Sequence, residues 1–141
     1  MFARLFRYTS AMVLALPATC LAIFDIHLLA GGQLSGELAF WLWLILWGLV
    51  SVALSTASTI RMVWGKACLA YAVSAFLLPI AGIIFPVVFA SLELGPTTSF
   101  VDAAGLAAAS VILLVLTFVV GLFSGFLSLA LGYFALRPAR P

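Results

Sequence analysis

Four long apolar runs take up nearly all of this chain, at about residues 8–30, 38–60, 67–92 and 103–136. Each exceeds the ~20 helical residues that cross a hydrocarbon layer ~30 Å thick. Backbone N–H and C=O groups find no partner in hydrocarbon, so a spanning segment must satisfy them itself, as a helix or within a closed barrel. Barrel strands alternate apolar and polar residues over about ten positions. The runs here are continuous, which selects helices. The chain has 141 residues, 67% hydrophobic and 7% charged. Soluble domains are about half apolar and a quarter charged, and a chain this small cannot hide such an excess in its own core. The expectation is an all-α integral membrane protein, a four-helix transmembrane bundle that forms a single domain over residues 1–141.

The charges set the threading. Arg4 and Arg7 precede the first run, Arg61 and Lys66 separate the second and third, and Arg137 and Arg140 follow the fourth. An up-down-up-down path puts all of them on one side, and Asp25, Glu37, Glu93 and Asp102 on the other. Basic residues stay in the cytoplasm, so both termini are expected there. Tyr8, Trp64, Tyr71 and Tyr133 then fall near the inner boundary, and Trp41 and Trp43 near the outer one, as aromatic belts do. The net charge of +2 comes from small groups flanking the runs, so no nucleic-acid partner is expected. The basic start and Cys20-x-Ala22 have the outline of a cleavable leader, but the apolar run continues well past Cys20 and reads as a spanning helix.

Short turns join the runs. Gly31 is a helix stop and Ser35 a helix start in the first. Arg61–Lys66 forms the inner turn. Gly95–Pro96 marks the last turn, and Ser99-x-x-Asp102 fits a capping box that opens the fourth helix.

Helices in lipid associate through small residues that let backbones approach, and each run carries a stripe of them. They are Ala11, Ala15, Ala18 and Ala22, ending at Asp25; Gly48, Ser51, Ser55 and Ser58; Ala75, Pro79, Gly82, Pro86 and Ala90, ending at Glu93; and Gly121, Gly125, Ser128 and Gly132. Either the stripes face one another, or that of the fourth helix, with its Gly121-x-x-x-Gly125, is left for a partner chain. Pro79 and Pro86 each free the carbonyl four residues earlier, at Ala75 and Gly82. Such carbonyls can line a path with Pro79, Gly82 and Pro86; a packed kink is the plainer expectation.

Asp25 and His27 are the polar outliers. Asp25 comes roughly 27 Å of helical rise after Arg7, within a turn of the outer surface, where headgroups or water are in reach. His27 is higher, well placed at the negative end of its helix. Interfacial polarity is the plain reading of both. The sharper one is an acidic outer mouth of Asp25 and Glu93 that binds a cation or a partner's basic residue. His27 cannot join Asp25 at one small site, because positions i and i+2 point about 160° apart.

Other chemistry is missing. The two cysteines, Cys20 and Cys68, lie at different depths and read as unpaired, buried small hydrophobes. One histidine, no phosphate loop and no nucleophile set leave no catalytic residues, metal site or cofactor to assign. The expected role is therefore a non-catalytic accessory, assembly or scaffold subunit of a larger membrane complex. Its partners would be the lipid bilayer and other membrane subunits. The alternative is a small homo-oligomeric channel or transporter with an acidic outer mouth. The Arg- and Ala-rich, compact chain suits a bacterial inner membrane.

Overall fold

Each apolar run becomes one helix. In the computed structural model these are α1 (Phe2–Leu29), α2 (Gly36–Ser55), α3 (Ile60–Glu93) and α4 (Phe100–Leu136), with no strand among the described residues. The structure describes residues 2–93 and 100–137, with the backbone alone at 2, 3, 91, 93 and 100–103. All four helices contain a stretch long and apolar enough to span a membrane: Arg4–Leu29, Gly36–Ser55, Ile60–Ala90 and Ala104–Leu136. The chain is a multi-pass helical membrane protein, and its fold is a four-helix bundle.

At the basic end α1 and α3 overrun their apolar runs, whereas α2 stops at Ser55, short of the expected residue 60. Arg4 and Arg7 are inside α1, and Arg61 and Lys66 are inside α3. The inner turn is therefore not Arg61–Lys66 but the stretch 56–59, because Ser and Thr compete for backbone groups and break helices. Thr56 Oγ1 turns back to the Ala53 carbonyl at 2.7 Å, closing α2. Thr59 Oγ1 accepts from the Met62 N–H at 3.3 Å, opening α3. Apolarity marks the hydrocarbon layer, while helices continue into the headgroup zone. At the other end Gly31 and Gly32 take φ of +64° and +79°. Their N–H groups donate to Leu28 O and His27 O, both at 2.9 Å, the Schellman closure of α1. Ser35 caps α2 by accepting from the Leu38 N–H at 3.3 Å. The proposed turn at Gly95–Pro96 and the Ser99 end of the capping box lie outside the described residues.

Contacts between helices establish the path. α1 and α2 are antiparallel: Trp47 Nε1 donates to Met12 O at 2.9 Å, and Arg7 Nη1 to Ser58 O at 3.2 Å nearer the basic end. α1 and α3 are parallel: Ser74 Oγ donates to Ala18 O at 3.2 Å, and Gly31 packs on Val88 and Leu92 higher up. α3 and α4 are antiparallel: Gly65 meets Leu136, and Gly82 meets Thr117. Laterally the order is α2–α1–α3–α4. α2 leans on α1 with a slight touch on α3, and among the described residues α4 packs on α3 alone.

Small residues dominate the interior. One cluster joins Ala11, Ala15, Leu54, Ala57, Val63 and Ala67; a second joins Leu28, Leu78 and Ala81. Large side chains point outward, among them Leu49, Val52, Phe123 and Phe126. In water such a surface would be costly at ~25 cal/mol per Å²; against lipid it is at ease. Cys20 is also on this outer surface rather than buried, while Cys68 is half-buried, and neither is in a disulfide.

The α4 stripe is the closest seam. A Cβ on Gly121 would lie 2.6 Å from the Ala75 carbonyl oxygen and 2.7 Å from Pro79 Cδ. Gly125 rests on the Phe76 ring and Gly132 on the Gly65 carbonyl. Gly48, by contrast, has nothing within 4 Å of a Cβ. α2 packs instead through Trp47, Val50, Ser51 and Leu54. Gly121→Ala is therefore expected to force α3 and α4 apart and destabilise the protein by about 1–3 kcal/mol. Gly48→Ala should be neutral or stabilise by up to about 1 kcal/mol. Unfolding by detergent titration in micelles checks both, and equal effects would contradict the packing described.

Candidate functional site

Asp25 ends the alanine stripe of α1, and the helical repeat that buries Ala11, Ala15 and Ala18 carries it inward. It is 2% exposed. The Ser74–Ala18 hydrogen bond fixes the register, so seven residues further along each helix Asp25 stands level with Ala81. At this level lies the buried apolar cluster of Leu28, Leu78 and Ala81, with Leu21, Phe85 and Leu113 packed against it. Neither carboxylate oxygen has a hydrogen-bond partner. Water access, expected from its depth, is not realised. α3 outgrows α1 at this end, and Val88 and Leu92 lie against the closing Gly31, so α3 shields the last turns of α1.

The other polar candidates stay apart from it. His27 is half-buried on a different face, with Nε2 beside Gly32. Glu93 is the last residue of α3, about 18 Å of helical rise beyond Ala81, and its side chain lies outside the described residues. The structure does not draw Asp25, His27 and Glu93 into one site.

Pro86 is half-buried near the acidic end of α3. The α3 stripe of Ser74, Leu78 and Ala81 faces α1 and the seam that holds Asp25. Pro79 and Gly82 lie on the adjoining stripe, which faces α4. There Gly121 covers the Ala75 carbonyl freed by Pro79, and the Thr117 side chain fills the space beside Gly82. Both are packed contacts. Ser128 is half-buried in a groove between α1 and α4, with Leu14, Pro17, Trp64, Cys68 and Tyr71.

Hydroxyl groups mostly serve their own helices. Thr19 donates to Ala15 O at 2.9 Å, Ser110 to Leu106 O at 2.8 Å, Thr117 to Leu114 O at 3.0 Å and Ser124 to Val120 O at 2.6 Å. Ser74 differs in reaching a neighbouring helix. Trp43 Nε1 and Ser51 Oγ are also buried without a partner, but they are neutral, and a neutral group costs far less to strand than a carboxylate. No group of three or more His, Cys, Asp or Glu suited to a metal ion occurs among the described residues.

Three features escape a reading by stripes of small residues. Pro17 lies inside α1. Trp47 bridges to α1, stacked on Trp43 with ring centroids 6.0 Å apart. Thr117 fills the space at Gly82. The i, i+4 spacing of the two tryptophans was the available signal for the second. Compared with known proteins, the chain matches no family model, no curated protein and no solved structure. Ser74→Ala removes the α1–α3 hydrogen bond. It is expected to cost about 0.6 kcal/mol, and no more than about 1.7 kcal/mol, measured by the same detergent titration.

Proposed function

We propose that this chain is a non-catalytic accessory or assembly subunit of a larger membrane complex. The observation that carries this reading is how its polarity is used. The hydroxyls of Thr19, Ser74, Ser110, Thr117 and Ser124 close onto carbonyls, and the proline-freed carbonyl at Ala75 is covered by Gly121, so little of the described interior's polarity is left for a substrate. The glycine stripe of α4 is occupied by α3, so a partner would meet larger side chains instead. The outer face of α4 offers Phe123 and Phe126, and that of α2 offers Phe40, Trp41 and Ile45. The bias of Arg and Lys to one end supports an orientation with both termini in the cytoplasm, and a bacterial inner membrane suits the composition. The alternative, a small homo-oligomeric channel or transporter, draws support from one observation, the buried and unpartnered Asp25.

Purification from native membranes in mild detergent separates the two. An accessory subunit brings down a stoichiometric second membrane protein, and Phe123→Ala with Phe126→Ala weakens that pairing several-fold while the isolated chain stays folded. A transporter purifies as a homo-oligomer and moves an ion in liposomes, which would refute the accessory role. Reporter tags at both ends are expected to be inaccessible from outside intact cells; labelling of either from outside overturns the orientation.

A further inference from the structure

Asp25 poses a question of charge balance that holds whichever role the chain plays. Its carboxylate oxygens are enclosed and unpartnered. A stranded charge in a medium of low polarity costs several kcal/mol even after relaxation, so a counter-charge is required. The chain itself supplies none. Arg4, Arg7, Arg61, Lys66, Arg137 and Arg140 are all grouped by sequence at the opposite end, Arg7 being about 27 Å of helical rise away. His27 points to another face. The facing stretch of α3, from Ser74 to Phe89, and that of α4, around Leu113 and Thr117, contain no titratable residue. Tyr71 is about 15 Å of rise below Ala81, and Glu93 about 18 Å above it. Glu37 is in the first turn of α2 and exposed, and Asp102 in the first turn of α4.

The counter-charge must then come from outside the chain. A metal cation needs about six oxygen ligands. The cluster at the level of Asp25 is apolar, made of Leu21, Leu28, Leu78, Ala81 and Phe85, and the buried hydroxyls of Thr19, Ser74 and Thr117 are already donating to carbonyls. A basic side chain of a partner needs an opening, and a residue 2% exposed offers none. A proton needs neither ligands nor room. We propose that Asp25 is a proton-binding carboxyl in the α1–α3 seam. It carries its proton while the two helices are packed. When they part, its O–H bond breaks and the proton passes to water. Proton supply and closure of the seam are thereby linked: the packed form binds one more proton than the parted form, so rising pH favours parting.

The test uses the full-length protein in liposomes. Difference infrared spectroscopy at neutral pH should show the carbonyl stretch of a protonated carboxyl, absent in Asp25→Asn. In wild type the equilibrium constant for unfolding should rise as pH rises, by up to about tenfold per pH unit for one proton. The neutral, similarly shaped Asp25→Asn variant should lack that dependence. An ionised Asp25 at neutral pH in the folded wild type overturns the proposal, and this reading does not require any variant to fold. Loss of the protonated-carboxyl band on adding sodium or calcium at constant pH would also overturn it, by assigning the site to a cation.

Discussion

The central constraint is the position of α3, which carries two contact stripes one residue out of step. Ser74, Leu78 and Ala81 meet α1, while Ala75, Pro79 and Gly82 meet α4. Adjacent residues on a helix point about 100° apart, so α1 and α4 are held at that angle around α3 and need not touch. This gives the lateral order α2–α1–α3–α4 and opens the groove lined by Leu14, Trp64, Tyr71 and Ser128. Each stripe carries small residues that let backbones approach, Ser74 and Ala81 in one, Ala75 and Gly82 in the other. In lipid that supplies association, because hiding a leucine from hydrocarbon gains little.

The basic end has a structural role apart from topology. α2 and α4 finish there, and their last carbonyls lack partners within the helix. Arg7 Nη1 reaches Ser58 O, just past α2, and Arg61 Nη2 reaches Phe134 O in the last turn of α4 at 2.9 Å. Each guanidinium comes from a helix that begins at this end, so the same charges that bias orientation also tie down the inner turn, through Arg7, and the last turn of α4, through Arg61. Arg137 adds a contact over the Tyr133 ring, 4.7 Å from its centroid. At the acidic end a Schellman turn closes α1 and the Ser35 cap opens α2.

The existence and number of helices were legible because length and apolarity are properties of each segment alone. So were Gly31 as a stop and Ser35 as a cap, since both act through local backbone geometry. The inner turn differs from the Arg61–Lys66 expectation because charge does not end a helix here; the hydroxyl-rich 56–59 stretch does, and the charged residues snorkel from helical positions. Gly48 looked like its neighbours in the second stripe, yet it faces open space. A stripe of small residues tells which side of a helix permits approach, not which helix comes. The inward direction of Asp25 followed from its alanines. Its enclosure did not, because that depends on α3 reaching past the end of α1, a relation between two segments far apart in sequence.

The lateral order has a mechanical meaning. α1 with α2, and α3 with α4, each make a hairpin closed by its own contacts. The hairpins meet almost entirely along the α1–α3 line. That line is the joint between two halves, and it is more extensive than the α1–α2 contact within the first of them. What lies on it, a serine hydroxyl bonded across to the Ala18 carbonyl and a buried acid, acts on how the halves are joined rather than on the integrity of either.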